Sequence, residues 1–581
     1  MKATETAPRI KDPIAFEVAK NALISLADEL AITVIRTAHS QTVRDSMDFS
    51  TAICDASGRV IAQGCGIPLH LGAIPVAMDA VLAKYGSDTH PGDVFVLNDP
   101  DEGGMHLPDA FMIKPVFRGP ELIGYSAVVA HHQDIGGRAA GGNAVDSTEI
   151  YQEGLQIPVL KFHDRGKVNE TLLALWLRNV RLPDLVYGDI QAQIAACHVG
   201  EVGLLQIADR YEPGELQALM DEILDYTEAR VRAEIAAIPQ GEYSFEDHID
   251  DDGFGSGPIK ICVKIRVLED SIEADFAGTS PQVKSALNAT MSYVNSGVYT
   301  ALMCVMSGDI PSNAGFYRPI AITAPKGTIV NPNRPAPRAA RGLTGFRIVD
   351  ATLGALAKAL PGRVMAAGDG GATMIAIGGT NPNGSSFVFI DFQTSGWGAR
   401  PDRDGVDGVS PVAANLSNVP VEEVELHQPA KVERYGFLPD TEGAGKWRGS
   451  LSVVRELRFT GEEAIMQVRS DRRKFPPYGL EGGEPGSPSN NILNPGSTQV
   501  QLPTKLTMPI KHGDLLRHNL AGGGGYGDPM QRDPALVLED VLDGKLSIER
   551  AAATYGVVID LEGESVDTAK TSSRRLEHPH V

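Results

Sequence analysis

Five cysteines in 581 residues, at positions 54, 65, 197, 262 and 304, are too few and too scattered for a disulfide framework, and no CxxC pair is present to build an all-cysteine zinc site. That points to a reducing compartment. Basic residues are short as well: 52 against 74 acidic ones leave a net charge of −22, so the basic face that a nucleic acid or an anionic membrane would require is missing. No window approaches the ~18 consecutive apolar residues of a spanning helix. The opening MKATETAPRIKDP has no apolar stretch of the secretory kind, and a cytoplasmic location is expected. Nucleotide and hydrolase signatures are absent too. EGAGKWRG around Lys446 lacks the leading Gly and the Ser/Thr of a P-loop, and no GxSxG elbow occurs. AGGGGYGDP contains GxGxxG at Gly522, Gly524 and Gly527, but Asp528-Pro529 forbids the helix on which a pyrophosphate would sit. A tight structural crossover is the expected role of those glycines.

What is present indicates a large α+β protein of several domains. Asp12 and Pro13 read as a helix cap and first residue, followed by an apolar stripe at 19, 22, 23, 26, 27, 30, 31 and 34. SMDFSTAICDASGRVIAQG reads as strand, turn and strand, with Asp48 at the entry to the first strand, and VFVLND and FMIKPVF as further buried strands. Helical periodicity runs from about 170 to 237 and gives way near Pro239 to strand and turn signals. One interior helix is expected over 347–361, then short strands, then a helical appendage over 534–556 in which Ser547 caps a helix ending at Gly556. The expected division is an N-terminal mixed α/β metal-binding domain over 1–239, a mixed middle domain over 240–400 and a β-rich domain over 401–533. A small helical appendage over 534–560 and a disordered tail over 561–581 complete it.

The densest collection of potential metal ligands is NDPDEGGMHLPDAF, Asn98 to Phe111, together with AHHQDIGG twenty residues on. His106 and Asp109 form an HxxD step, and His131 follows an apolar strand, so two loops can converge on one ion. Imidazole and carboxylate donors suit zinc, manganese or ferrous iron, and three protein ligands leave a position open for Lewis-acid or hydrolytic chemistry. Turn capping is the competing reading, because Asn, Asp and Gly favour turns on their own account. Consecutive His131 and His132 at the end of an apolar strand are costly to bury without partners, which favours the site.

DFSTAICDASGRVIAQG, PLHLGAIP, PGDVFVLNDPDEGGMHLPD, AHHQDIGG, QEGLQIP, GAGKWRG, GGGGYGDP and ERAAATYGVV resemble, in order and spacing, the hydantoinase B family over about residues 12–560. That family includes β subunits of N-methylhydantoinase and caprolactamase, the second half of 5-oxoprolinase, and subunits of acetone and acetophenone carboxylases. The resemblance implies one divalent metal on His106, Asp109 and His131, with Asp48 as a fourth ligand and zinc as the foremost candidate. It also implies a hydantoinase A-type partner, in an α2β2 assembly, that binds ATP-Mg and phosphorylates a small cyclic amide whose ring opening this chain completes. No DxGGTxTD phosphate motif of the partner's kind is present in this chain. His70 and His132 are candidates for orienting ligands or moving protons, against the plain alternative that each is a locally satisfied structural histidine. Two other functions stay open on the sequence: a subunit of an ATP-dependent ketone carboxylase, and a non-catalytic scaffold for the ATPase partner.

Overall fold

The computed structural model describes residues 11–496 and 498–577. The expected first helix forms as α1 (Pro13–Thr37): the Asp12 side chain accepts from the N–H groups of Ile14 and Ala15, and Phe16, Ala19, Leu23, Leu26, Ala27, Leu30, Ala31 and Val34 are buried on one stripe. A short α2 (Gln41–Arg44) leads into β1 (Phe49–Asp55) and β2 (Val60–Gln63), and α3 (Ala73–Tyr85) precedes β3 (Val94–Leu97), β4 (Asp109–Arg118), β5 (Glu121–His131), β6 (Leu160–Asp164) and β7 (Lys167–Val168). These strands make one antiparallel sheet in the order β2-β1-β5-β4-β3-β6-β7. Three helices follow, α4 (Glu170–Arg178), α5 (Pro183–Ala208) and α6 (Glu215–Ala236).

Both faces of this sheet are covered, which is why β1 is buried at every position. Ile53, Ala110, Met112, Val128 and Ala130 face a core shared with α1 and α5. Ala52, Cys54, Phe111, Ile113, Ala127 and Val129, alternating with them, face a second core shared with the middle of the chain. That middle begins with β8 (Gly241–Ile249), β9 (Ile259–Val267) and β10 (Ile272–Asp275), continues through α7 (Met291–Met303), α8 (Ala314–Tyr317) and β11 (Ile320–Thr323), and ends with α9 (Gly342–Ala359). The helix expected from 347 therefore starts five residues earlier. Gly342 and Gly345 are poor helix formers, but a Cβ at Gly345 would lie 2.1 Å from the Tyr293 ring, so packing against α7 selects glycine there.

Beyond α9, β12 (Thr373–Thr380) and β13 (Ser386–Gln393) lie on the near side of the boundary expected at 400. β12 pairs with β13 on one side and with β16 on the other, so both strands share a sheet with strands beyond 400. After α10 (Val421–His427) come β14 (Ala430–Leu438), β15 (Ser452–Phe459), β16 (Glu463–Arg469), β17 (Asn490–Leu493), β18 (Val500–Leu502), β19 (Lys505–Lys511) and β20 (Leu515–Asn519). Two sheets result, β13-β12-β16-β19 and β14-β15-β20-β17-β18, and they share one apolar core. The glycine run is a crossover: the N–H groups of Gly522, Gly523, Gly524 and Gly525 donate to the carbonyls of Ser487, Ser450, Ala367 and Glu484, so these four amides are already taken up within the fold.

The appendage consists of α11 (Pro534–Leu542) and α12 (Ile548–Thr554), with Ser547 capping α12 through the Arg550 N–H. The tail expected to be disordered from 561 is structured to 577. β21 (Ile559–Asp560) pairs with β22 (Ser565–Val566), and α13 (Thr568–Glu577) docks through Arg574 and Arg575 side chains donating to the carbonyls of Ala552, Tyr555 and Arg532. A polar sequence hid this docking, because cationic side chains on backbone carbonyls, rather than apolar burial, hold it. Residues 578–581 of that expected tail lie outside the described residues.

Candidate metal centre

Sheet register assembles the site. Asp109, the first residue of β4, stands opposite His131, the last of β5, and the His131 N–H donates to the Asp48 carbonyl at 2.9 Å, so the ladder continues onto the residue before β1. Three adjacent strand ends thus bring Asp48, His131 and Asp109 side by side. Because side chains alternate, these residues lie on the face that carries Ala52, Phe111 and Val129, turned toward α7 and α9. His106 comes from the loop between β3 and β4.

One ligand atom from each of His106, Asp109 and His131 lies within 4.8 Å of the other two, and all three residues are buried. His106 Nδ1 is 3.0 Å from the carbonyl of Ala339, which can only accept, so the neutral ring carries its proton on Nδ1 and Nε2 is bare. That bare nitrogen is 3.2 Å from Asp109 Oδ1. Among the described residues neither atom has a hydrogen-bond partner, nor does His131 Nδ1. Buried acceptors facing one another repel unless a cation lies among them, and the donor set fits a divalent ion.

The protonation states fit as well. Burial, reinforced by Arg341, pulls His106 down to about 4. Burial and His106 hold His131 well below the ordinary histidine range. Burial pushes the Asp109 carboxyl up, but His106 and Arg341 outweigh it and keep it well below the carboxylate norm. Two neutral imidazoles and one carboxylate are the forms a metal requires.

The other sequence candidates separate. Asp48 faces the same cavity, outside the three-atom group, and burial together with Asp109 pushes its carboxyl up to about 7. His70 also lines the cavity; its Nδ1 lies 3.0 Å from Ser50 Oγ, its Nε2 lies 4.0 Å from Asp48 Oδ1, and burial lowers it to about 4. His132 does not join them. One residue on from His131, it sits on the opposite face, with Nε2 3.0 Å from Gln193 Oε1 and its ring 5.3 Å from that of Trp176, so it is a core histidine.

The cavity lies where the three parts of the chain meet and is partly open to solvent. Its walls include residues that sequence reasoning did not single out. Arg341 Nη2 binds Asp109 Oδ2, and its guanidinium lies 4.6 Å from the centre of the Tyr293 ring. Arg469 ends β16, and burial lowers it to about 10, so it stays charged. Asp369, raised by burial to about 7, completes the polar wall. Behind the site, the buried Glu153 of QEGLQIP accepts from the N–H groups of Arg338 and Ala339 at 2.7 and 2.8 Å, fixing the carbonyl that orients His106.

Residues 12–529 match the Hydantoinase B/oxoprolinase family. The chain belongs to that family. It is 35% identical over 585 residues to the B-type chain of a putative D-/L-hydantoinase of Pseudomonas sp. (strain NS671), covering 97% of this chain and 98% of that one. It is 33% identical over 586 residues to the β chain of the caprolactamase of Pseudomonas jessenii, covering 98% and 99%. The crystal structure of the ATP-dependent caprolactamase from that organism superposes with a TM-score of 0.91 at 32% identity, over 98% of this chain and 100% of that one. A nucleotide-free acetone carboxylase shares the fold, with a TM-score of 0.91 at 20% identity over 98% and 83%. Among the described residues, no helix is long and apolar enough to cross a membrane.

Proposed function

We propose that this chain is the metal-dependent B-type component of an ATP-dependent cyclic amide hydrolase, opening a lactam, hydantoin or oxoproline ring on substrate activated in a hydantoinase A-type partner. The observation that carries the reading is the set of three buried, unpartnered donor atoms of His106, Asp109 and His131, set at a partly open cavity with mixed polar and apolar walls. A caprolactamase β chain among the relatives supports the cyclic amide class. His106, Asp109 and His131, with Asp48 beside them, would hold a divalent ion, which would supply Lewis acidity for water and for the amide carbonyl.

The chain's own groups do the rest. The Ala339 carbonyl keeps the His106 proton on Nδ1, and Arg341 keeps Asp109 anionic and fixed. Asp48, balanced near neutral pH and facing His70, is the group placed to accept a proton from water and return it to the leaving nitrogen. Phe346, Phe392 and Leu416 give the cavity an apolar wall. Amide resonance is not overcome by such a site alone. Phosphorylation of the amide oxygen supplies the leaving-group chemistry and belongs to the partner, in an α2β2 assembly, since no phosphate loop is found in this sequence.

Reaction with partner, ATP and cyclic amide in 18O-water tests the proposal. Label should enter the ring-opened product. Carbon from 13C-bicarbonate appearing in a new C–C bond, with no amide consumed, would replace hydrolysis by ketone carboxylation.

A further inference from the structure

Of the two arginines in the cavity, only one has a direct ion pair. Arg341 is paired with Asp109. Arg469 is 6% exposed, donates Nε to the Ala372 carbonyl at 3.2 Å and reaches the Asn143 amide oxygen with Nη1 at 3.4 Å. Among the described residues no carboxylate lies within ion-pair distance of it, Asp48 acting on it only from further off, and its Nη2 makes no hydrogen bond. Its charge is felt by Asp48 across the cavity but is not met by a direct ion pair, and arginine does not relieve that by losing its proton.

Two further donors line the same cavity. α9 is an 18-residue helix whose first residue, Gly342, lines the cavity, and a Cβ built there would lie 3.5 Å from Arg469 Nη2. The guanidinium therefore lies against the positive end of a long helix, where backbone N–H groups also favour an anion. Tyr293 lines the same wall, and among the described residues its hydroxyl has no hydrogen-bond partner.

We infer that Arg469, the amino end of α9 and the Tyr293 hydroxyl form a binding subsite for an anionic oxygen group, phosphoryl or carboxylate, beside the metal centre. The subsite stands on its own geometry. Its role rests on the proposed function: the phosphoryl group placed on the amide oxygen by the partner would be gripped here, which aligns the activated carbon with the His106, Asp109 and His131 centre. A neutral ring lacking that group would forgo the strongest contact in the cavity, which makes the site selective for activated over unactivated substrate.

Calorimetric titration of inorganic phosphate and of acetate into the full-length chain, stripped of divalent ions, tests this. The wild type is compared with Arg469→Met, Arg469→Lys and Tyr293→Phe, each checked for folding by thermal unfolding. Binding of either anion is expected, weakened about tenfold or more in Arg469→Met, as for loss of one charge-assisted hydrogen bond. Arg469→Lys should lie between, and Tyr293→Phe should show a smaller loss. Preference for phosphate identifies a phosphoryl group, and preference for acetate a carboxylate. No binding of either anion, or binding unchanged in Arg469→Met, overturns the inference. Should Arg469→Met not fold, unchanged binding in both other variants overturns it equally. Absence of amide turnover with partner and ATP, alongside Arg469-dependent anion binding, would remove the proposed reaction and leave the subsite standing.

Discussion

Glu153 touches no donor atom of the candidate centre, yet its substitution is expected to change metal affinity. Its Oε1 accepts from two buried backbone N–H groups, of Arg338 and Ala339, and the same Ala339 presents the carbonyl that fixes His106. Glu153→Ala leaves both amides without acceptors, at about 1–3 kcal/mol each. It also frees the Ala339 carbonyl to turn, and losing a group that orients a ligating histidine costs about 10–100-fold in metal affinity. Glu153→Gln keeps an acceptor oxygen in place. Burial pushes the Glu153 carboxyl up to about 8, so the pocket favours a neutral group, and the amide should hold affinity within a few-fold. The assay is a chelator-competition titration with zinc or cobalt, read by the cobalt absorption spectrum, on variants shown to be folded. The raised carboxyl also fixes a pH trend. The folded state holds this proton more tightly than the unfolded chain does, so the contribution of Glu153 to stability is complete below about 4.5 and is lost as pH rises through about 8. Glu153→Gln should therefore gain stability relative to wild type across that window. A folded Glu153→Ala that binds metal with wild-type affinity and an unchanged cobalt spectrum would refute the reasoning.

Other substitutions separate ligand from scaffold. His106→Ala should lose the metal and turnover while the fold persists, as elemental analysis and circular dichroism would show. Asp109→Ala should lose the metal too, and in addition about 3–5 kcal/mol of stability, because it strands the buried Arg341 guanidinium; equal denaturation midpoints for the two variants would contradict that pairing. His132→Ala should cost about 1–3 kcal/mol through Gln193 and the Trp176 contact, with metal content unchanged and turnover per folded molecule close to wild type. The isolated chain should show no ATP binding by calorimetry and no hydrolysis of a lactam or hydantoin until an A-type partner is added.

Much of this was legible in the chain, for identifiable reasons. α1 announces itself through Asp12, Pro13 and an uninterrupted apolar stripe, and α12 through Ser547 and Gly556, since these signals are local. The HxxD step and the strand-end histidine marked His106, Asp109 and His131, which the register of β4 and β5 brings together. Strict alternation along β5 also carried the signal that separates His131 from His132, once the apolar neighbours Val129 and Ala130 are assigned to different cores. What stayed hidden was long-range. Arg341 lies 232 residues from Asp109 in sequence, and Glu153 186 residues from Ala339. No spacing rule joins such positions. The pairing of β12 with β16 is of the same kind, joining residues some ninety apart, and the docked α13 was concealed by a polar sequence that carries no core signal.

Anomalous diffraction at a metal absorption edge, on crystals of the protein purified in active form with its partner, decides whether the centre holds a metal. One peak per chain is expected among His106 Nε2, Asp109 Oδ1 and the His131 ring, at an occupancy matching about one equivalent of metal. Active crystals with no peak there, or with the chain's only peak elsewhere, would contradict it.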